Sequence, residues 1–476
     1  MPGFLKKISG KLLDKSSFVL FLIGFFIISF FYGFLVYREH WPPFQQIENT
    51  WKIVETFVEN KKLGAKGLFL EFVDEDPGKV SEQWFQDLDQ FHSNSSFVFL
   101  GGRSEFLDVC PEYGCLAVKY DGARDAIVQA YPYRPKEIFE TTSKMVAQFP
   151  YAEGLGFNVD DHLAPNGFSE YPNGDLLVVF RVDGVYPYGG GVARIDSEGR
   201  PVWVRRDYSH HWPTLLENNT ALVPAFSRSF WDGNNQTARF ECPSGNAYED
   251  VIRVLDEDGK VMREISVLKA MLESPFKGRL FVPGSREKSC DPTHMNQIML
   301  VNDELARAVD VAEAGDFLVS LRDINALALI DSQTELVKAL YTGSFVGQHS
   351  VRYLEGPYVV FFDNLGRMGP EQPSRIIRLN LATREEKILY PAASMPDKHA
   401  HYNTGACGTI RLSHDKSTGV ACFSDDGIGL EFDLETGEPL MLFHNVHDVS
   451  SVEDFDKERK DKAASFYLQD IDYARQ

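Results

Sequence analysis

Positive charge is scarce in this sequence: 48 Lys and Arg stand against 69 Asp and Glu in 476 residues, a formal net charge of −21. A protein that tracks nucleic-acid phosphates needs a positive field to displace counterions, so that class of partner is excluded. There is no C-x-x-C, C-x-x-C-H or H-E-x-x-H, which leaves thiol redox catalysis, covalent haem and a zinc-peptidase site without support. No long helical periodicity is present between residue 95 and the last few tens of residues. The composition is nonetheless that of a folded chain, 43% hydrophobic and 25% charged, and 36 Phe favour sheets with thick apolar interiors.

Only six cysteines occur (Cys110, Cys115, Cys242, Cys290, Cys407, Cys422). An even count suits an oxidising compartment and leaves the connectivity open. Cys407 and Cys422 close a candidate hairpin around the polar turn SHDKST, where either a cross-strand bridge or two buried thiols is expected. Cys290 stands four residues before His294, where a bridge to Cys242 would brace the loop. Sequons at Asn94, Asn218 and Asn235 matter only where exported proteins are glycosylated.

One long apolar run is present. Residues 17–37 read SFVLFLIGFFIISFFYGFLVY without a charge, and about 20 apolar residues cross the hydrocarbon core as a helix. The run is too long for a signal peptide and no small-x-small site follows it, so a single transmembrane signal anchor is expected. Lys6, Lys7, Lys11 and Lys15 outnumber Asp14 before it, which keeps residues 1–16 cytoplasmic and exports the rest. Residues 38–94 are expected to form a membrane-proximal, partly helical segment, with an amphipathic helix over Trp51–Leu63.

From residue 95 to 476 the texture is short apolar strands punctuated by Gly, Asn and Asp. A degenerate unit recurs: a strand, a gap, a second strand ending in Asp or Asn, a polar turn, and a third strand. Its marked ends are Asp196, Asp256, Asp331, Asn380 and Asp433, spaced 49 to 75 residues apart. A poorer copy begins at Cys115, and Ser465–Ala474 can supply a closing strand. Units of this size cannot bury both faces alone, so radial stacking predicts an all-β, six-bladed propeller preceded by the transmembrane helix. A β-sandwich is the alternative, which the repeat count and spacing disfavour.

Blades converge on one channel, so polar residues at equivalent places in successive units can meet. His210 and His211 precede one unit, His294 the next and His349 the one after. Arg322 falls within LVSLRDINALALID, read as an apolar strand where a charge is costly unless it faces a polar cavity. His399 and His401, in DKHAHYN, are further channel candidates or plain surface groups.

YSHHWPTLLENN, THMNQI with GDFLVSLRDINALALID, GQHSVRYLEG with FFDN, and YPNGDLLVVF with GGGVARIDSEGRPVWV resemble the exported β-propeller enzymes of the arylsulfotransferase family. The likeness spans roughly residues 110 to 445. It implies transfer of a sulfuryl group from an aryl sulfate to a phenol through a sulfohistidine, with no nucleotide sulfate donor and no cofactor. Carried over residue by residue, it makes His349 the nucleophile. His211 (or, in the other register, His210), His294, Asn296 and Arg322 would bind sulfate oxygens or assist proton transfer. The sequence departs from the family where His211 is followed by Trp212 rather than an acidic residue, which puts that histidine's role in question, and in its expected membrane anchor.

A guanidinium beside a neutral imidazole keeps it uncharged and nucleophilic and offers a fork of donors to an oxyanion. In so acidic a protein, the His and Arg cluster is also the natural pocket for an anionic substrate. A non-enzymatic, membrane-anchored propeller used as a binding platform is the alternative function. A metal site of His211, His294 and His349 ranks last, because Arg322 would repel the cation. Oligomeric state is left open by the sequence.

Overall fold

The computed structural model describes residues 23–33, 70–72, 94–101, 110, 114–124, 126–139, 163–182, 189–227, 231–232, 246–281, 291–365, 372–393, 395, 400–405, 407–448, 463–466 and 468–475. Six four-stranded antiparallel sheets dominate them. Blade 1 holds Ser96–Leu100, Cys115–Asp121 and Ala126–Pro132. Blade 2 holds Leu163–Glu170, Leu176–Val182, Gly189–Ile195 and Pro201–Arg205. Blade 3 holds Thr214–Leu215, Ala221–Phe226, Asp250–Leu255 and Val261–Ser266. Blade 4 holds Met295–Leu300, Phe317–Leu321, Ala326–Ile330 and Val337–Tyr341. Blade 5 holds His349–Glu355, Tyr358–Asp363, Arg375–Asn380 and Glu386–Tyr390. Blade 6 holds Thr409–Leu412, Thr418–Phe423, Ile428–Asp433 and Pro439–His444.

The innermost strand of blade 1 comes from the far end of the chain. Asp470–Tyr473 pairs with Ser96–Leu100, with Phe97 opposite Tyr473 and Leu100 opposite Asp470. Inner strands then touch in the order of blades 1, 2, 3, 4, 5, 6 and back to 1, so the ring is closed. The expected closing strand is therefore present over part of Ser465–Ala474. The segment Ala463–Phe466 instead joins Leu70–Phe72 and Val446–Asp448 in a separate three-stranded sheet.

Each interface between blades is a seam of buried apolar side chains. Leu100 meets Phe168 between blades 1 and 2, Val179 meets Val223 between 2 and 3, and Ile252 meets Val319 between 3 and 4. The series continues with Leu318 and Phe361, Phe362 and Phe423, then Phe443 and Ile471. Adjacent Leu318 and Val319 serve opposite seams, as a strand's period of two requires, and both are fully buried. That double burial is why strands such as ALALI read as unbroken apolar runs.

The recurring Asp or Asn has a physical origin. Asp196 Oδ1 accepts from the backbone N–H groups of Glu198 and Arg200, and Asp256 Oδ1 from those of Asp258 and Lys260. Asp331, Asn380 and Asp433 accept from the residues two and three positions on. Each tightens the turn into the outermost strand of its blade, which is the local chemistry Asp and Asn side chains favour.

Several expectations are corrected. Arg322 is not inside a strand: the strand stops at Leu321, Arg322–Ile324 form a 3₁₀ turn, and Asn325 turns left-handed (φ 49°) before the next strand. Of the two alternatives for Cys407 and Cys422 the structure has thiols, with Cys422 buried and Cys407 half-buried, and the bridge lies instead between Cys110 and Cys115. The sheet register sets Thr409 opposite Cys422, so Cys407 lies two residues out of register for a bridge. Cys242, Cys290, His399 and the expected helix Trp51–Leu63 lie outside the described residues. Among the described residues no helix is long and apolar enough to cross a membrane. Of residues 17–37, the described part is a helix over 23–33 with exposed side chains such as Phe26 and Ile28.

Candidate active site

In an antiparallel blade, the start of the first strand, the end of the second and the start of the third lie at one end of the sheet. His211 and Trp212 come just before the first strand of blade 3, His294 just before that of blade 4, and His349 opens that of blade 5. Arg322 and Asn364 follow the second strands of blades 4 and 5, and Asp250 starts the third strand of blade 3. All therefore sit on one end of the propeller, over three consecutive blades. Five non-glycine backbones among the described residues are left-handed there: His211 (φ 56°), His294 (φ 46°), Asn325 (φ 49°), Ser350 (φ 57°) and Leu365 (φ 51°). Such conformations persist only where surrounding contacts impose them and concentrate at functional sites.

His349 is wholly buried. Its Nδ1 is 2.6 Å from Asn364 Oδ1. The Asn364 amide nitrogen donates to the carbonyls of Thr404 (2.7 Å) and Cys407, so the oxygen of that amide must face the imidazole and accept. Nδ1 therefore carries the proton, and the lone pair of the neutral ring is at Nε2. No hydrogen-bond partner meets Nε2 among the described residues. An unmet buried acceptor costs about 1–3 kcal/mol, which marks a group kept for reaction. Burial, and then the Arg322 guanidinium, hold this imidazole well below its ordinary pKa, so it stays neutral at pH 7.

His294 is set up in the opposite sense. Asp291 grips it twice, with Oδ2 2.7 Å from the ring Nδ1 and Oδ1 accepting from its backbone N–H at 3.0 Å. Burial favours the neutral ring, but the Asp291 carboxylate outweighs it and raises the pKa of His294. Arg322 donates one N–H to Asp323 at 3.0 Å. Among the described residues its buried Nε has no hydrogen-bond partner, and its turn is tied to the His294 segment by the Arg322 N–H to the His294 carbonyl. A histidine shifted toward its charged form and a guanidinium thus both act on one shifted toward neutrality.

His211 joins the group. Its ring centre is 5.1 Å from that of His294 and 6.1 Å from that of His349. His210, the other register, points behind it, with the two Nδ1 atoms 2.7 Å apart and His210 Nε2 3.2 Å from Asp250 Oδ1. Burial drives both rings toward neutrality, His210 down to about 3 and His211 well below its ordinary value. Trp212 is buried with its ring edge-on to His349, centres 5.5 Å apart. It fits because residue 167 is glycine: a Cβ there would lie 2.4 Å from the indole.

Asn296 is less available than the sequence suggests, since one amide N–H is committed to the Gln348 carbonyl at 2.8 Å. His401 is an exposed loop residue. Among the described residues no group of three or more His, Cys, Asp or Glu side chains is arranged to hold a metal ion. Asp250, Asp291 and Asn364 escaped the sequence reading. Asp and Asn are everywhere in turns, and only the FFDN phrase pointed near Asn364.

The family model described as arylsulfotransferase (ASST) matches residues 169–408, which takes in every residue of the cluster. No curated protein matches the chain. Among solved structures, a protein of unknown function from Bacteroides caccae is similar, at 12% identity and a TM-score of 0.45 over 80% of this chain and all of that one. Kuenenia stuttgartiensis hydrazine synthase has 10% identity and a TM-score of 0.37, over 67% of this chain and 70% of the other. Virginiamycin B lyase from Staphylococcus aureus has 11% identity and a TM-score of 0.32, over 64% and 94%. Likenesses this slight have no bearing on the chemistry.

Proposed function

The chain belongs to the arylsulfotransferase family, and from that premise we propose that it moves a sulfuryl group from an aryl sulfate to a phenol by way of a sulfohistidine at His349. In the first half-reaction His349 Nε2 attacks sulfur, the sulfur–aryl oxygen bond breaks, and the phenolate leaves with the bonding pair. In the second, a phenol oxygen attacks the same sulfur, the N–S bond breaks and the pair returns to Nε2. Arg322 and the His294 imidazolium bind the equatorial oxygens, where charge is held through the transfer. No cofactor enters either step.

The single observation that carries this reading is the Asn364 contact, which leaves Nε2 of a buried imidazole without a hydrogen-bond partner among the described residues, near enough to Arg322 and His294 for their charge to depress its pKa. The test is incubation with an aryl sulfate, followed by mass analysis of the His349 peptide. A gain of one sulfuryl group, absent in His349→Ala, is expected; an unmodified peptide during turnover would sink the proposal. One observation favours the alternative of a binding platform: His349 is fully buried, as a purely structural imidazole would be. An inert His349 together with an intact biological role for His349→Ala would establish that alternative. Attachment to a membrane through residues 17–37, with the propeller on the exported side, is proposed on the sequence alone.

A further inference from the structure

Behind His211, three buried acid–base groups stand in a row. Asp250 Oδ1 lies 3.2 Å from His210 Nε2, within ion-pair range but off the line of a hydrogen bond, so that a small turn of the ring must close this link, and His210 Nδ1 lies 2.7 Å from His211 Nδ1. Exposure of the three residues is 0%, 1% and 7%. The other Asp250 oxygen accepts from Thr293 Oγ1 at 2.5 Å and from the Met295 N–H at 2.8 Å, which fixes the carboxyl in place.

The short Nδ1 to Nδ1 contact has a strict consequence. Two N–H groups would collide there and two lone pairs would repel, so one ring donates and the other accepts. The tautomers of His210 and His211 are therefore tied together. When the Asp250 carboxyl is protonated, it faces the lone pair of His210 Nε2; His210 then donates from Nδ1, and His211 carries its proton on Nε2. When Asp250 is a carboxylate, His210 is protonated at Nε2 and accepts at Nδ1; His211 donates from Nδ1 and offers a lone pair at Nε2.

We infer that Asp250, His210 and His211 are a proton relay that stores one proton between the two sulfuryl transfers, with His211 Nε2 the atom that delivers and recovers it. This rests on the sulfotransferase reading above. In the first half-reaction His211 Nε2–H protonates the departing phenolate oxygen. The His210 proton crosses to His211 Nδ1, the Asp250 proton crosses to His210 Nε2, and Asp250 is left as a carboxylate. In the second half-reaction the acceptor phenol gives its proton to His211 Nε2 as its oxygen attacks sulfur, and the other two protons run back. One proton leaves and one returns, and neither ring becomes charged.

The surroundings suit that cycle. Burial penalises a charged His210 or His211, while burial and the neighbouring Asp291 push Asp250 well above the carboxylate range, against the opposing pull of His294. That direction, against the lowering hydrogen bonds from Met295 and Thr293, favours the carboxyl as the resting place of the stored proton. His294, gripped by Asp291, is left to bind the anion rather than to shuttle a proton.

The experiment compares full-length wild type with Asp250→Asn in single-turnover labelling of His349. One donor is nitrophenyl sulfate, whose phenolate leaves without a proton; the other is an alkylphenyl sulfate, whose phenolate needs one. In the variant, the side-chain oxygen keeps the Thr293 and Met295 bonds while the amide faces His210 as a donor only, which locks the relay in one state. General acid assistance is worth roughly 10²–10⁴-fold, so the ratio of the two labelling rates should widen by on the order of 10² relative to wild type. An unchanged ratio overturns the relay while leaving the sulfohistidine reading intact. Absence of label from both donors in wild type overturns that reading and the relay with it. Should the variant not fold, a solvent-deuterium series on wild type with the alkylphenyl donor decides the matter. A bowed dependence on deuterium fraction is expected for several protons in motion, and a straight line overturns the relay.

Discussion

Asn364 Oδ1 stands 2.6 Å from His349 Nδ1, and this one contact selects which nitrogen of the imidazole can react. Asn364→Ala frees the ring to turn. Labelling of His349 should slow roughly 100-fold, the scale on which a misplaced reacting group is felt. Asn364→Asp places a carboxylate at the same point and raises the imidazole's pKa. Its labelling rate should then fall as the pH drops through the ordinary histidine range, while wild type stays level. Stopped-time mass analysis across pH measures both, and an alanine variant as fast as wild type would remove Asn364 from the site.

The pH profile of kcat/KM should carry the signature of two oppositely tuned histidines. Burial and Arg322 depress His349, so the nucleophile stays deprotonated below pH 6.5 and rates should hold there. Asp291 raises His294, with Asp323 assisting and Arg322 opposing, so its charge persists to higher pH than a free imidazole and its loss gives the alkaline limb. Asp291→Asn removes the raising group and should move that limb to lower pH; a limb that does not move belongs to another residue.

Arg322 should prove irreplaceable by another cation. Its buried Nε and its fork geometry suit two oxygens of a sulfuryl group. Arg322→Ala should cost about 10²–10³ in kcat, as loss of an oxyanion donor does, and Arg322→Lys should recover little of it. Steady-state kinetics with a chromogenic aryl sulfate decides this, and a lysine variant with full activity would contradict it.

Folding stability should fall in acid. His210, His211 and His349 have pKa values below the unfolded value of about 6.5, so as the pH drops through 6.5 the unfolded chain takes up protons that the native state refuses. His294 and Asp250 are shifted the other way, so the native state takes up their protons before the unfolded chain does and they offset part of this. Denaturant midpoints at pH 7.5 and 5.5 should differ, and less so in His211→Asn; equal midpoints would show that the buried rings are not neutral.

The seam between blades 6 and 1 should be the sensitive one. Ile471 is fully buried against Phe443 and Phe99 on the closing strand, and Ile471→Ala should cost about 2–5 kcal/mol. Val128 of the same blade is exposed, and Val128→Ala should cost no more than about 0.5 kcal/mol. Urea titration of the two variants provides the comparison.

The blades were legible because their turns use side-chain chemistry that leaves a mark every 49 to 75 residues, from Asp196 to Asp433. Histidine is rare enough, at 12 in the chain, that His211, His294 and His349 stood out ahead of successive units. Asp250, Asp291 and Asn364 did not, since what distinguishes them is the three-dimensional neighbour and not the residue type. Arg322 was misread because LVSLRDINALALID is apolar on both sides of a turn whose only local signal is Asn325. The bridge between Cys110 and Cys115 was passed over for the more distant hairpin pair, whose register lies two residues away from what a bridge requires.

Because the first blade borrows its innermost strand from Asp470–Tyr473, a ribosome that has finished blades 3 to 5 holds every member of the histidine cluster in an arc with a gap. Until residue 473 emerges, Phe97 and Phe99 lack their native cover, and the edge of Ser96–Leu100 is open to a strand from any nascent neighbour. The codons of this strand thus act as a latch, and an mRNA truncated just before them encodes a chain with all its reactive side chains and no closed circle to hold them in register.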